Sequence, residues 1–343
     1  MKSIFVSIAS YRDPHCSETL LHLFQQAKFP ERIFVGLCEQ NNPQVDKPSM
    51  EKNFRYKKHV RIHKMSYLDA KGPTYARYQC AKLFRNEDFF FQIDSHNSFV
   101  KHWDSILVQM YKNIRENTES KKIIISHYPS DISQYTESPS NNLISTIVQP
   151  FINDMGIISF EGAVYHSSEK IPKKNLFVAA GFIFTTKQWL YDVPFDPYLD
   201  FLFTGEEILL SARSFTNGWD VYTPNKEILF HHYTRANEPK IWQDVKNYNE
   251  NLAIQRMKLI LKLDGNLKSF IQSKNIVKYG LGKIRTLDEF YEKIGYDTKT
   301  KKMGKPKIEF FCQEQTSKIS IFMITNIVLF ICIIIILVLI LNQ

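Results

Sequence analysis

"EDFFFQIDSHNSF", Glu87–Phe99, is the stretch on which the fold turns. An aromatic run, Phe89-Phe90-Phe91, passes through Gln92 and Ile93 and stops on Asp94-Ser95-His96. A short unbroken apolar run bounded by polar residues reads as a buried strand. Ending that strand on a carboxylate and an imidazole two residues apart has two readings. Either Asp94 caps a turn and His96 sits at the surface, or the two side chains form a cation site at a strand tip.

The segments around it decide between these. Ser3–Ser10 is a β-branched apolar strand, and Cys16–Ala27 follows with helical spacing. Arg32–Cys38 and His59–Lys64 read as two further strands. A helix begins at Pro73, which follows Gly72 and suits a first-turn position. Then come Asp88–Ile93 as strand, Trp103–Arg115 as helix and Lys122–Ser126 as strand. Strands alternating with helices predict an α/β fold with a mostly parallel central sheet. Ligands bind such sheets at the carboxyl ends of the strands. The polar ends "ASYRD", "CEQNN" and "DSHNS" therefore gather on one edge, which favours the cation site. Residues 128–176 read as loop-rich, with apolar segments resuming at Leu176–Phe184. Gly205–Phe215 has helical spacing and stops at Asn217-Gly218. Ile228–Tyr233 reads as a strand, Ile241–Leu263 as one long helix, and residues 264–318 as a lysine-rich connector with some helix.

The 343 residues suffice for one large domain or two small ones, and 26 Phe and 17 Tyr make the core aromatic. Five Cys, at 16, 38, 80, 312 and 332, form no C-x-x-C pair, so neither a zinc ribbon nor a disulfide framework is indicated. The net charge of +9 is partly local: Lys299, Lys301, Lys302, Lys305 and Lys307 lie together. They precede Ile319–Leu341, 23 residues without a charge. As a helix this run extends about 34 Å, enough to cross a bilayer. A membrane therefore accounts for the lysines better than a nucleic acid does, and no nucleic-acid partner is expected. The run reads as a single-pass C-terminal transmembrane helix in contact with the lipid bilayer. The positive-inside bias places residues 1–318 in the cytoplasm.

Asp94 and His96 alternate on one side of an extended segment, so both can face one point. A carboxylate with an imidazole suits a divalent transition cation such as Mn²⁺ better than Ca²⁺. "ILFHHYTR" offers a third ligand at the end of a late strand, His232 in the favoured reading and His231 as the alternative. Arg77 lies on the helix after Gly72-Pro73, and its planar fork suits a diphosphate. Tyr11, Arg12 and Asp13 end the first strand, and Cys38, Glu39 and Gln40 the second. There they stack on and hydrogen-bond a nucleobase, or cap turns. Glu206 and Glu207 begin a helix, where the macrodipole favours carboxylates whatever their function. No G-x-S-x-G elbow, P-loop or G-x-G-x-x-G is present.

"VSIASYRDPHCSETLLHLFQQAKFPERIFVGLCEQNN", "LDAKGPTYARYQCAKLF", "FFFQIDSHNSFVKHWD", "GEE" and "HHYTR" occur in the order seen in a glycosyltransferase family. The chain resembles the cytoplasmic polypeptide N-acetylglucosaminyltransferases that modify hydroxyproline, distant relatives of the enzymes that start mucin-type O-glycans. The resemblance covers residues 1–240. It implies a GT-A fold, a UDP-sugar donor, a divalent cation and a protein acceptor hydroxyl on hydroxyproline, Ser or Thr. Asp94 and His96 then form a D-x-H version of the D-x-D motif, and His232 matches the late histidine of the mucin-type enzymes. Asp69 and Arg77 fall in the block expected to contact the nucleotide sugar. Glu206 matches the carboxylate near the sugar hydroxyls, with Glu207 beside it as a second catalytic candidate. Lys71 stands where an arginine is expected. The resemblance also implies retention at the anomeric carbon, with no dedicated base on the acceptor side. The expected organisation is a GT-A-like domain over 1–240, a helical extension over 241–298, a lysine-rich linker over 299–318 and the transmembrane helix over 319–341.

Overall fold

The computed structural model describes residues 2–139, 143–167, 171–263 and 274–307. Its first half is β1 (Ile4–Tyr11), α1 (Cys16–Gln25), β2 (Ile33–Asn41), β3 (Val60–Ser66), α2 (Pro73–Ala81), β4 (Phe89–Ile93), β5 (Asn97–Phe99), α3 (Trp103–Asn117) and β6 (Ile123–Ile125). Next come β7 (Ser130–Asp131), β8 (Leu143–Ile152), β9 (Ile158–His166), β10 (Lys173–Asn175), β11 (Phe182–Thr186) and α4 (Gln188–Asp192). The later elements are α5 (Glu206–Thr216), β12 (Asp220–Thr223), β13 (Leu229–His231), α6 (Ile241–Asp244) and α7 (Asn251–Ile260).

The main sheet has eight strands in the order β10-β12-β6-β11-β4-β1-β2-β3. All but β11 and β10 run the same way. β4 sits inside this sheet, in register with β1 from Ile4↔Phe89 to Ile8↔Ile93. Phe89 and Phe91 pack on one face with Leu20 of α1 and Trp103 of α3. Phe90 packs on the other with Trp189 of α4 and Leu210 of α5. Layers on both faces explain why the run is apolar without alternation. Each buried phenylalanine contributes about 1.5–3 kcal/mol, so β4 is a firm base for the residues at its tip.

The turn into α2 shows why Gly72-Pro73 stands where it does. Gly72 has φ +87°, and a Cβ there would lie 2.8 Å from the Phe201 Cα. Only glycine fits that approach. Pro73 then opens the helix in its first turn.

Two expectations are corrected. Within 128–176, β8 and β9 form a long antiparallel hairpin rather than loop. Its β-branched residues drive it, while Pro150 and the polar segment before it obscure the pattern. Ile241–Leu263 is not one helix: α6 and α7 are separate, broken across the polar "KNYNEN". Ala253, Met257, Leu287 and Phe290 share one core with Ile208, Leu209 and Phe177. The expected transmembrane helix, 319–341, lies outside the described residues. Among the described residues no helix is long and apolar enough to cross a membrane.

Candidate active site

A cavity of about 610 Å³ opens where β1, β2 and β4 end, with Tyr11, Gln40 and Asp94 in its wall. Asp94 follows β4 directly. The chain then bends at Ser95-His96 before entering β5, so Asp94 and His96 converge through a bend and not by strand alternation. β13 lies antiparallel to β5 with His231 opposite Asn97. One ligand atom each of Asp94, His96 and His231 lies within 4.8 Å of the others. That spacing is close to the roughly 4.2 Å that two bonds of about 2.1 Å span end to end. The His231 Nε2 stands 3.2 Å from the Asp94 Oδ2, and the two imidazole rings meet edge to face at 4.5 Å. The His231 Nδ1 is buried without a hydrogen-bond partner.

His232, the favoured third ligand, is placed elsewhere. Its amide donates to the His96 carbonyl (3.1 Å), and its ring stacks on His15 at 4.7 Å. Adjacent residues of an extended chain point oppositely, and the inward position falls to His231. The alternative reading is the one the geometry favours.

Arg77 lines the cavity and is not a surface arginine. Its side chain is 6% exposed, and its guanidinium bridges Glu206 and the Asp94 Oδ1, the latter at 2.9 Å. One cation thus serves two carboxylates. Burial pushes the Asp94 carboxyl up, but the His231 hydrogen bond and the Arg77 charge outweigh it and hold Asp94 well below the usual range. Glu206 stays raised, because its burial outweighs its share of Arg77. Glu207 is pushed up by burial to about 7, against hydrogen bonds from Tyr128 and the Ala180 amide. Glu206, Glu207 and Tyr128 all line the cavity. Opposite Asp94 is Gly181, where a Cβ would come within 2.6 Å of the Asp94 Oδ2.

The remaining predicted residues divide. Tyr11 lines the cavity and donates to Asp244 (2.7 Å). Arg12 stands behind the wall, paired with Asp46 (2.8 Å) and Asp244 (2.9 Å). Glu39 accepts from the Ser49 amide (2.7 Å) and leaves the wall to Gln40. Asp69 is exposed and outside the wall.

Sequence reasoning missed several residues. Arg235, Trp242 and Tyr128 line the cavity, and Asp13 is buried against His96. Arg235 was within the quoted "HHYTR" and Asp13 within "YRD", but neither string says which side chain turns inward. Tyr128 and Trp242 lie in segments read as loop and long helix, where no motif marked them.

A chain titled GalNAc-T7 with UDP, GalNAc and Mn²⁺ matches with a TM-score of 0.57 at 13% identity, over 88% of this chain. This chain spans 58% of that one. S. aureus TarS, residues 1–349 with UDP-GlcNAc, matches with a TM-score of 0.47 at 12% identity, over 81% of this chain and 71% of its own. No curated protein matches this chain by sequence. The fold shared with GalNAc-T7 is GT-A-like. The family model described as Glycosyltransferase (GlcNAc) matches residues 3–54 and 44–300, so it takes in every element that builds the cavity. Reaching from the first strand past residue 240, that match makes the chain a member of the Glycosyltransferase (GlcNAc) family.

Proposed function

We propose that this glycosyltransferase moves N-acetylglucosamine from its UDP-sugar, with a divalent cation, to a hydroxyl of a polypeptide, with retention at the anomeric carbon. The observation that supports it most is the convergence of Asp94, His96 and His231 at the sheet edge, inside a cavity of about 610 Å³. Two imidazoles and one carboxylate suit Mn²⁺, the ion named with GalNAc-T7. When bound, such an ion neutralises negative charge on a departing diphosphate.

In this reading Asp94, His96 and His231 hold the cation. Arg77, in the cavity wall, orients Asp94 and Glu206. Arg235, at the cavity wall and paired with Glu238 and Asp13, is the guanidinium assigned to face the diphosphate on the other side. Tyr11 and Gln40, at the ends of β1 and β2, meet the nucleobase. Glu206 and Glu207 meet the sugar hydroxyls. A carboxyl poised near 7 can present either a donor or an acceptor there. No residue is assigned as a base for the acceptor.

The test is to incubate the full chain in detergent with a panel of UDP-sugars and Mn²⁺, with and without peptides bearing hydroxyproline, Ser or Thr. Release of UDP from UDP-N-acetylglucosamine, lost on chelation, together with an N-acetylhexosamine on the peptide, is expected. Release from another donor reassigns the sugar. UDP release that survives chelation removes the cation from the reading.

A further inference from the structure

We infer that Asp13 is a positioning residue that fixes the His96 ring with its Nε2 bare and aimed at the Asp94–His231 cluster. This rests on the cation reading above. Asp13 lies just beyond β1, past Arg12, whose φ is +45°. Its side chain is fully buried, yet it accepts from every direction. The His15 amide donates to its Oδ1 (3.0 Å), the Ser95 hydroxyl to its Oδ2 (2.5 Å), and the His96 Nδ1 lies 2.7 Å from that same oxygen. The Arg235 guanidinium stands 3.5 Å away and balances the charge.

An ionised carboxylate can only accept hydrogen bonds. The His96 Nδ1 facing it must therefore carry the proton, which leaves Nε2 with its lone pair. Without that partner a neutral imidazole prefers the other tautomer, and Nε2 would present a proton to the site. The Ser95 bond acts on the backbone side, holding the bend that brings His96 back toward Asp94. β1 and β4 are neighbours in the sheet, so the residue just past one strand reaches the bend after the other. Partners of this kind are worth about 10–100-fold in metal affinity.

The experiment uses the metal-free full chain with ¹⁵N-labelled histidine. Long-range ¹H–¹⁵N correlation reads the His96 tautomer, and calorimetry with Mn²⁺ alone reads affinity. Wild type should show the proton on Nδ1. Asp13→Ala should move it to Nε2 and weaken Mn²⁺ binding about 10–100-fold with the circular dichroism spectrum unchanged. Asp13→Asn keeps one accepting oxygen and should hold the tautomer with an intermediate affinity. A wild-type His96 protonated on Nε2 overturns the inference, whether or not Asp13→Ala folds. So does a folded Asp13→Ala with wild-type tautomer and affinity. Wild type that binds no Mn²⁺ but shows the Nδ1 proton sinks the cation reading and keeps the positioning of the ring.

Discussion

His231 and His232 are neighbours in sequence and do different things. His231 is buried in the cavity against Asp94, and His232 stacks on His15 at the side. His231→Ala should cost at least about a hundredfold in Mn²⁺-stimulated UDP release, a loss of about 2.7 kcal/mol. His232→Ala should stay within a few fold. The two variants can be compared by initial rates across a Mn²⁺ titration, and equal losses would end the distinction. Arg77 is argued from burial as well. Removing the guanidinium between buried Glu206 and half-buried Asp94 leaves their charge less compensated, so Arg77→Met should destabilise by about 3–5 kcal/mol. Lysine should not restore the stability, because it lacks the fork that reaches both partners. Urea denaturation measures this, and an unchanged midpoint would return Arg77 to the diphosphate role its sequence context suggested.

At the scale of the element, α5 starts at the cavity and places two carboxyls there in its first turn. The macrodipole favours them, but burial of Glu207 is the larger effect, and its carboxyl rises from 4.5 to about 7. A raised carboxyl binds its proton more tightly folded than unfolded. Its contribution to stability is therefore full below about pH 4.5 and is lost as pH climbs through about 7, on the order of 3 kcal/mol. Glu207→Gln should flatten the fall in stability across that window, as read by thermal melts from pH 4.5 to 8. A slope identical to wild type would mean that Glu207 ionises as an ordinary carboxyl. The helix itself was legible from "GEEILLSARSF" and its Asn-Gly stop. The pairing of Glu206 with Arg77 was not, because those residues are 129 positions apart and meet only when α2 and α5 flank one cavity. The β8–β9 hairpin was missed for a local reason: proline and serine interrupt its alternation, and cross-strand pairing supplies what propensity leaves out.

At the scale of the whole molecule, the chain past residue 307 bears on where the catalytic domain works. We propose that residues 319–341 anchor it with the domain on the lysine-rich side. The full chain should resist alkaline carbonate extraction, residues 1–318 should not, and external protease should digest the domain on sealed vesicles. A domain protected inside those vesicles would reverse the topology. By itself the sequence determined the layered α/β class, β4 as a buried strand, and Asp94 with His96 just past its end. These follow from the order and apolar content of nearby segments, which local sterics and burial impose. Tertiary structure alone decided that His231 and not His232 joins them, that Arg77 is committed to two carboxylates, and that Asp13 stands behind His96. Each depends on which side chains of distant segments turn inward once the strands are in register, and no single segment encodes that.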